Sequence, residues 1–222
     1  MKTQMYNVVE IFKSIEGEGK RAGVPATFIR LYGCNLRCSY CDTMYGVEGN
    51  QYNRMSLDEI LNVCYTFDLR HVTVTGGEPL IQPNIKELIL ELARNGFEVN
   101  IETNGAVDIS PYSLASNVFI TMDYKCPSSG MEDKMLLVNF SYLRKKDVLK
   151  FVVGSMEDLE RARQLINEYY LTFSCNVYFS PVFGNIEPKT IVEYVLDHPE
   201  LSNAYVQVQL HKIIWDPEQR GV

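Results

Sequence analysis

Pro25-Ala26-Thr27-Phe28-Ile29-Arg30-Leu31-Tyr32 runs without a break into Gly33-Cys34-Asn35-Leu36-Arg37-Cys38-Ser39-Tyr40-Cys41-Asp42-Thr43. The first eight residues alternate well enough for a buried strand, and that strand delivers three thiols, spaced C-x3-C-x2-C, to its carboxyl end. The junction decides the fold, because the carboxyl ends of strands are the functional edge of a parallel α/β sheet. Three thiols this close can grip one inorganic centre, and Cys64, Cys126 and Cys175 are too scattered to supply a fourth. Soft thiolates select zinc or iron–sulfur clusters, and a closed zinc site or an ordinary ferredoxin site needs a fourth protein ligand. Three thiolates on a four-iron cluster leave one iron open to a small molecule, which turns a structural device into a reaction centre. A zinc knuckle would need a distant histidine, and His71, His198 and His211 lie far along the chain in no paired spacing. Six cysteines in 222 residues do not make a stapled secreted domain.

Outward from this stretch, strands and helices alternate. Met5 to Phe12 is a strand that runs into Ser14-Ile15-Glu16-Gly17-Glu18-Gly19, where glycines beside acids allow a ligand to approach the backbone while carboxylates meet its donors; a polar turn is the ordinary alternative. Arg30, in the strand before the cysteines, suits bidentate capture of a carboxylate or a structural ion pair. Ser56-Leu57-Asp58-Glu59 is a capping box that opens a helix to about Phe67, with Cys64 on its inner side. His71 to Thr75 is a strand that ends in Gly76-Gly77-Glu78-Pro79, where Glu78 could receive a ligand ammonium.

Ile85 to Arg94 is an amphipathic helix stopped by Asn95-Gly96. The strand from Glu98 to Ile101 ends in Glu102-Thr103-Asn104-Gly105, a carboxylate placed for ribose hydroxyls. Val118 to Met122 is the next strand, followed by Asp123-Tyr124-Lys125, a Pro/Ser/Gly loop and a helical stretch over 134–143. Then come a strand at Val148–Val153, a helix at Met156–Tyr169 capped by Ser155, a strand at Asn176–Ser180, a helix at Pro188–Leu196 and a last strand at Tyr205–Leu210. Such alternation means parallel strands joined by right-handed crossovers. About seven strands cannot fill an eight-fold barrel of about 250 residues, so the expected fold is α/β, a partial, incomplete TIM-like β/α barrel in a single domain over 1–222. The tail after Leu210 ends near the functional edge, where it could cover a ligand.

Composition narrows the function. A net charge of −7 and a pI of about 5.1 argue against a nucleic-acid backbone binder and for a small-molecule partner. No run of about 18 apolar residues and no charged-then-apolar leader stand in the chain, so the expectation is a cytoplasmic enzyme with no membrane segment and reduced thiols.

The C-x3-C-x2-C spacing resembles the cluster motif of the radical S-adenosylmethionine enzymes, in which the open iron chelates the methionine part of the cofactor and a 5′-deoxyadenosyl radical results. Within that superfamily the chain is similar, nearly end to end, to the 7-carboxy-7-deazaguanine synthases of queuosine biosynthesis. Ser14–Gly19, Phe28–Cys38, Cys41-Asp42-Thr43, Thr75–Leu80, Glu102–Gly105, Gln209–Lys212 and Arg220-Gly221-Val222 carry the likeness. It implies a ring-contracting carbon–nitrogen lyase acting on 6-carboxy-5,6,7,8-tetrahydropterin, with a [4Fe-4S] cluster, S-adenosylmethionine and Mg²⁺. It further implies an electron donor such as a flavodoxin or ferredoxin, and a homodimer.

Residue by residue, the resemblance places the cluster on Cys34, Cys38 and Cys41, and Mg²⁺ on Thr43. The pterin falls to Ile15, Glu16, Gly17, Glu18, Arg30, Thr75, His211 and the carboxylate of Val222. S-adenosylmethionine falls to Tyr40, Cys41, Asp42, Gly77, Glu78, Glu102, Asp123, Tyr124 and Lys125. The chain departs from the family's frequent pattern at Glu16, where glutamine is common, and at Asp123-Tyr124, where Ser-Pro precedes the lysine. Two alternatives stay open: an activase that places a glycyl radical on a partner protein, and a zinc or iron–sulfur binding module without catalysis.

Overall fold

The computed structural model describes residues 4–222. Its strands are β1 (Met5–Ile15), β2 (Pro25–Leu31), β3 (Asn53–Ser56), β4 (His71–Gly76), β5 (Glu98–Thr103), β6 (Val118–Lys125), β7 (Val148–Val153), β8 (Asn176–Pro181) and β9 (Tyr205–Val206). Its helices are α1 (Leu57–Phe67), α2 (Ile85–Arg94), α3 (Met156–Glu168), α4 (Leu171–Ser174), α5 (Pro188–Asp197) and α6 (Leu210–Ile214). One nine-stranded sheet runs in the order β3-β1-β2-β4-β5-β6-β7-β8-β9. From β2 to β9 every pair is parallel, whereas β1 pairs antiparallel with both β2 and β3. β3 and β9 stand at opposite ends of that order, so the barrel is open.

Several expectations meet the structure closely. The capping box at Ser56 is formed, with the Ser56 side chain accepting from the Glu59 backbone and the Glu59 carboxylate returning to the Ser56 backbone N–H at 2.7 Å. The helix over 85–94 has the expected bounds and buries Ile85, Leu88, Ile89 and Leu92. Cys64, Cys126 and Cys175 are all core residues.

Three expectations change. Residues 134–143 form short 3-10 turns, not an α-helix. β6 continues through Asp123, Tyr124 and Lys125 rather than stopping before them. The last strand is paired only at Tyr205–Val206, and Leu210 opens a helix. The Gln207 backbone N–H still reaches Phe179 of β8 at 3.0 Å, but the Leu210 N–H donates to the Gly17 carbonyl of the β1–β2 loop at 3.1 Å, which takes the chain off the sheet. β3 was not anticipated, since four residues carry too little pattern to register.

Strand pleating sorts the side chains onto two faces. One face presents Ile29 and Leu31, Val72 and Val74, Val99 and Ile101, Ile120 and Met122, Leu149 and Phe151, and Val177 and Phe179 to the helices, all buried. The other face carries Phe12, Phe28, Arg30, Thr75, Glu102, Asp123, Lys125, Lys150, Val152 and Ser180 around a cavity. No helix among the described residues is long and apolar enough to cross a membrane.

Candidate active site

The cavity holds about 650 Å³ and is bounded by the cysteine loop, the inner face of the sheet, the β1–β2 loop and the segment after β9. Cys34, Cys38 and Cys41 all line it and none is in a disulfide. The Cys34 sulfur accepts from the Leu36 backbone N–H at 3.4 Å and from Asn104 Nδ2 at 3.6 Å, donors of the kind that stabilise a ligating thiolate. Burial raises the Cys38 and Cys41 thiol pKa values, so bare thiols stay protonated until a metal centre takes the protons' place. A closed zinc site needs four side chains converging on one ion; among the described residues no three of the His, Cys, Asp or Glu type do so. A cluster spreads its thiolates over separate irons, and the half-buried three-thiol loop suits it.

The loop is held from two sides. Ser39 donates its N–H to the Ser129 carbonyl and its hydroxyl to the Ser128 carbonyl at 2.7 Å. On the other side the Gly76-Gly77 turn packs against it so closely that a Cβ on Gly77 would lie 2.4 Å from the Gly33 oxygen and 2.7 Å from Cys34 Cβ. Only glycine permits that approach.

Most of the expected ligand-binding residues come together here. Ile15, Gly17, Glu18, Arg30, Thr75, His211 and Val222 line the cavity, as do Tyr40, Cys41, Asp42, Thr43, Gly77, Glu102, Asp123 and Lys125. The Tyr40 hydroxyl is buried without a hydrogen-bond partner, a position that a polar ligand would satisfy. Arg30 crosses from β2 with its Nε bonded to Glu10 at 2.8 Å, and its guanidinium stands 5.7 Å from the centre of the Phe12 ring. The Tyr45 hydroxyl also donates to Glu10, at 3.0 Å.

Three expected residues do not line it. Glu78 is fully buried and its carboxylate receives the Leu80 and Asn104 backbone N–H groups and the Thr103 hydroxyl, so it welds the end of β4 to the end of β5. Burial pushes its pKa up to about 7. Tyr124 points to the helix side, its ring tilted against Phe151 and its hydroxyl on Glu132 at 2.7 Å. Glu16 is 2 % exposed beneath the cavity and accepts the Thr73 hydroxyl. Burial, then the neighbouring Glu102 charge, lifts its pKa to about 7.

Of the charged wall, Lys150 is the residue that sequence reading missed. Lys150 bonds Glu18 at 2.8 Å and Asp123 at 3.1 Å, while Lys125 bonds the other Asp123 oxygen at 2.9 Å. Burial opposes both ammonium charges, but Asp123 and its neighbours outweigh it and raise both lysine pKa values. Burial raises the Glu102 pKa, with Asp123 and Glu18 adding to it. A lysine inside the otherwise apolar run Val148–Val153 was the available signal.

The chain end lies along the cavity mouth. Burial lowers the pKa of His211, which packs on the β1–β2 loop where a Cβ on Gly17 would meet its Nδ1 at 2.5 Å. Lys212 reaches Asp42 of the cysteine loop at 3.7 Å, and Arg220 stacks 3.9 Å from the Tyr45 ring centre. Burial works against the Asp42 charge, yet the Thr43 hydroxyl at 2.8 Å and Lys212 lower its pKa.

The chain is similar to known proteins along nearly its whole length. The Radical SAM superfamily profile matches residues 28–114. A 7-carboxy-7-deazaguanine synthase of Clostridium acetobutylicum is 47% identical over 220 residues, covering 98% of this chain and 99% of that protein. The Chlorobaculum tepidum protein of the same name is 37% identical, covering 97% of each. The crystal structure of QueE from Escherichia coli superposes with a TM-score of 0.76 at 26% identity, covering 92% of this chain and 94% of that one. Streptococcus suis SuiB shares the fold at 13% identity and a TM-score of 0.57.

Proposed function

The chain belongs to the 7-carboxy-7-deazaguanine synthase family of radical S-adenosylmethionine enzymes, and on that premise we propose that it converts 6-carboxy-5,6,7,8-tetrahydropterin to 7-carboxy-7-deazaguanine and ammonia on the route to queuosine. The observation that carries this reading is a single cavity lined both by the three thiols and by Arg30 and Glu18, whose partner Lys150 stands four strands from Arg30 in the sheet. A bicyclic acid has one carboxylate and one donor-rich pyrimidine edge, which an arginine and a glutamate at a distance suit.

In this reading Cys34, Cys38 and Cys41 hold the [4Fe-4S] cluster. Tyr40, Asp42, Gly77, Glu102, Asp123 and Lys125 hold S-adenosylmethionine. The chemistry that the bound pair supplies is removal of a hydrogen atom from C6 of the substrate. Arg30, steadied by Glu10 and Tyr45, pairs with the substrate carboxylate, and Glu18 accepts from the aminopyrimidine edge. Ile15, Gly17, Thr75 and His211 border the ring, with Val222 at the mouth, and the segment after β9 acts as a cover that excludes water within one single-domain protein. Mg²⁺ suits the Thr43 hydroxyl beside Asp42, hard oxygen donors few enough for the ion to complete its shell with substrate and water oxygens. The reading further takes the protein as a cytoplasmic homodimer reduced by a flavodoxin or ferredoxin.

The test is anaerobic incubation of the reconstituted, reduced protein with S-adenosylmethionine, Mg²⁺ and the carboxytetrahydropterin. The expected product is the deazaguanine acid by mass spectrometry, formed with 5′-deoxyadenosine; a red-brown, reduced protein that yields neither overturns the assignment.

A further inference from the structure

Strand β7 reads Val148-Leu149-Lys150-Phe151-Val152-Val153, and an ammonium in such a run must find carboxylates or lose its charge. Lys150 finds two. Its Nζ lies 2.8 Å from Glu18 Oε2 and 3.1 Å from Asp123 Oδ1, and the three side chains are 9%, 12% and 21% exposed. Asp123 keeps a second cation, Lys125, at 2.9 Å. Glu18 has no second cation among the described residues; its other oxygen accepts only the neutral Ser180 hydroxyl and Gln207 Nε2 at 3.3 Å. The charged groups facing Lys150 are thus Glu18 from the β1–β2 loop, Glu102 from β5, Asp123 and Lys125 from β6, and His211 from α6.

We propose that Lys150 is a positioning residue for substrate recognition, holding the Glu18 carboxylate aimed as the acceptor for the aminopyrimidine edge. This inference rests on the assignment of Glu18 to that edge. Without Lys150, Glu18 keeps only the Ser180 hydroxyl and Gln207 Nε2 to hold it, because Lys125 already belongs to Asp123. A carboxylate released from its ion pair can swing away from the donors of the pyrimidine edge.

In holoenzyme carrying Lys150→Met, KM for the carboxytetrahydropterin at pH 7 rises about tenfold or more, as expected when one partner of a buried pair is removed. The Kd for S-adenosylmethionine moves by less than about threefold, because Asp123 retains Lys125. Lys150→Arg keeps the ion pair and brings KM back to within about threefold of wild type. A Lys150→Met enzyme with unchanged KM, or with a raised KM that Lys150→Arg does not restore, overturns the proposal.

A second arm serves if Lys150→Met does not fold. In Glu18→Gln protein, which lacks one of the three carboxylates, adding Lys150→Met raises KM by less than about twofold; a further tenfold loss overturns the proposal. If Glu18→Gln alone leaves KM unchanged, the assignment of Glu18 fails; if it raises KM while Lys150→Met does not, the inference alone fails.

Discussion

The two faces of the sheet are built from the same strands and do opposite work. On the helix side, β7 contributes Leu149, Phe151 and Val153 to a layer with almost no exposed atoms. On the cavity side the same strand offers Lys150 and Val152. The apolar face gains stability from every methylene removed from water, at roughly 25 cal/mol per Å². The cavity face gives that up, because each buried charge there costs free energy that only an exact partner offsets. Stability and chemistry are thus segregated by pleat rather than by region of the chain, and substitutions one residue apart should report on different properties.

The sharpest break is Cys38→Ala. Activity should vanish and iron content should fall, while the apoprotein, losing one partly exposed thiol, keeps its melting temperature to within about 0.5 kcal/mol of stability; a melting point that collapses with the activity would show that the two faces are not separable. On the opposite face, Phe151→Ala removes a fully buried ring packed near Tyr124 and Phe179. It should cost about 3–5 kcal/mol, or on the order of 10 °C in thermal unfolding for a chain of this length, with the residual folded protein still able to bind a cluster.

Glu16 probes the boundary between the faces. Its folded pKa of about 7 exceeds the 4.5 of an ordinary glutamate, so the unfolded chain releases this proton first as pH rises. Stability contributed by the group is therefore present below pH 4.5 and lost as pH climbs toward 7. Glu16→Gln should flatten the fall in melting temperature across that window, and an unaltered slope would mean that Glu16 is ionised in the folded state. The mildest expected effect is that of Thr43→Ala, which should raise the Mg²⁺ concentration for half-maximal turnover and leave the fold intact; an unchanged titration would remove Thr43 from the ion.

Legibility in the sequence followed the same division. The apolar face announced itself through alternation, and its strands and helices lie close to where the pattern put them. Cys34, Cys38 and Cys41 were legible because their spacing is local. Contiguous motifs misled where pleating split them: Asp123 and Lys125 face the cavity, but Tyr124 between them does not, and the Gly-Gly-Glu-Pro turn offers Gly77 while Glu78 is buried in backbone contacts. Period-2 reasoning, applied through Lys125, would have separated Tyr124. Leu210 left the expected last strand because the Gly17 carbonyl, far back in the chain in the first loop, claimed its N–H.

The sequence alone determined the α/β class, the open barrel too short to close, the three-thiol loop at a strand end and the family resemblance, since each is a matter of short-range spacing, periodicity or length. Only the tertiary structure decided that Lys150 lies between Glu18 and Asp123, that Glu16 lies beneath the cavity and that the chain end lies across its mouth. Glu18 and Lys150 are 132 residues apart. A charge pair at that separation leaves no periodic trace, because its geometry exists only after the strands between them have taken their order in the sheet.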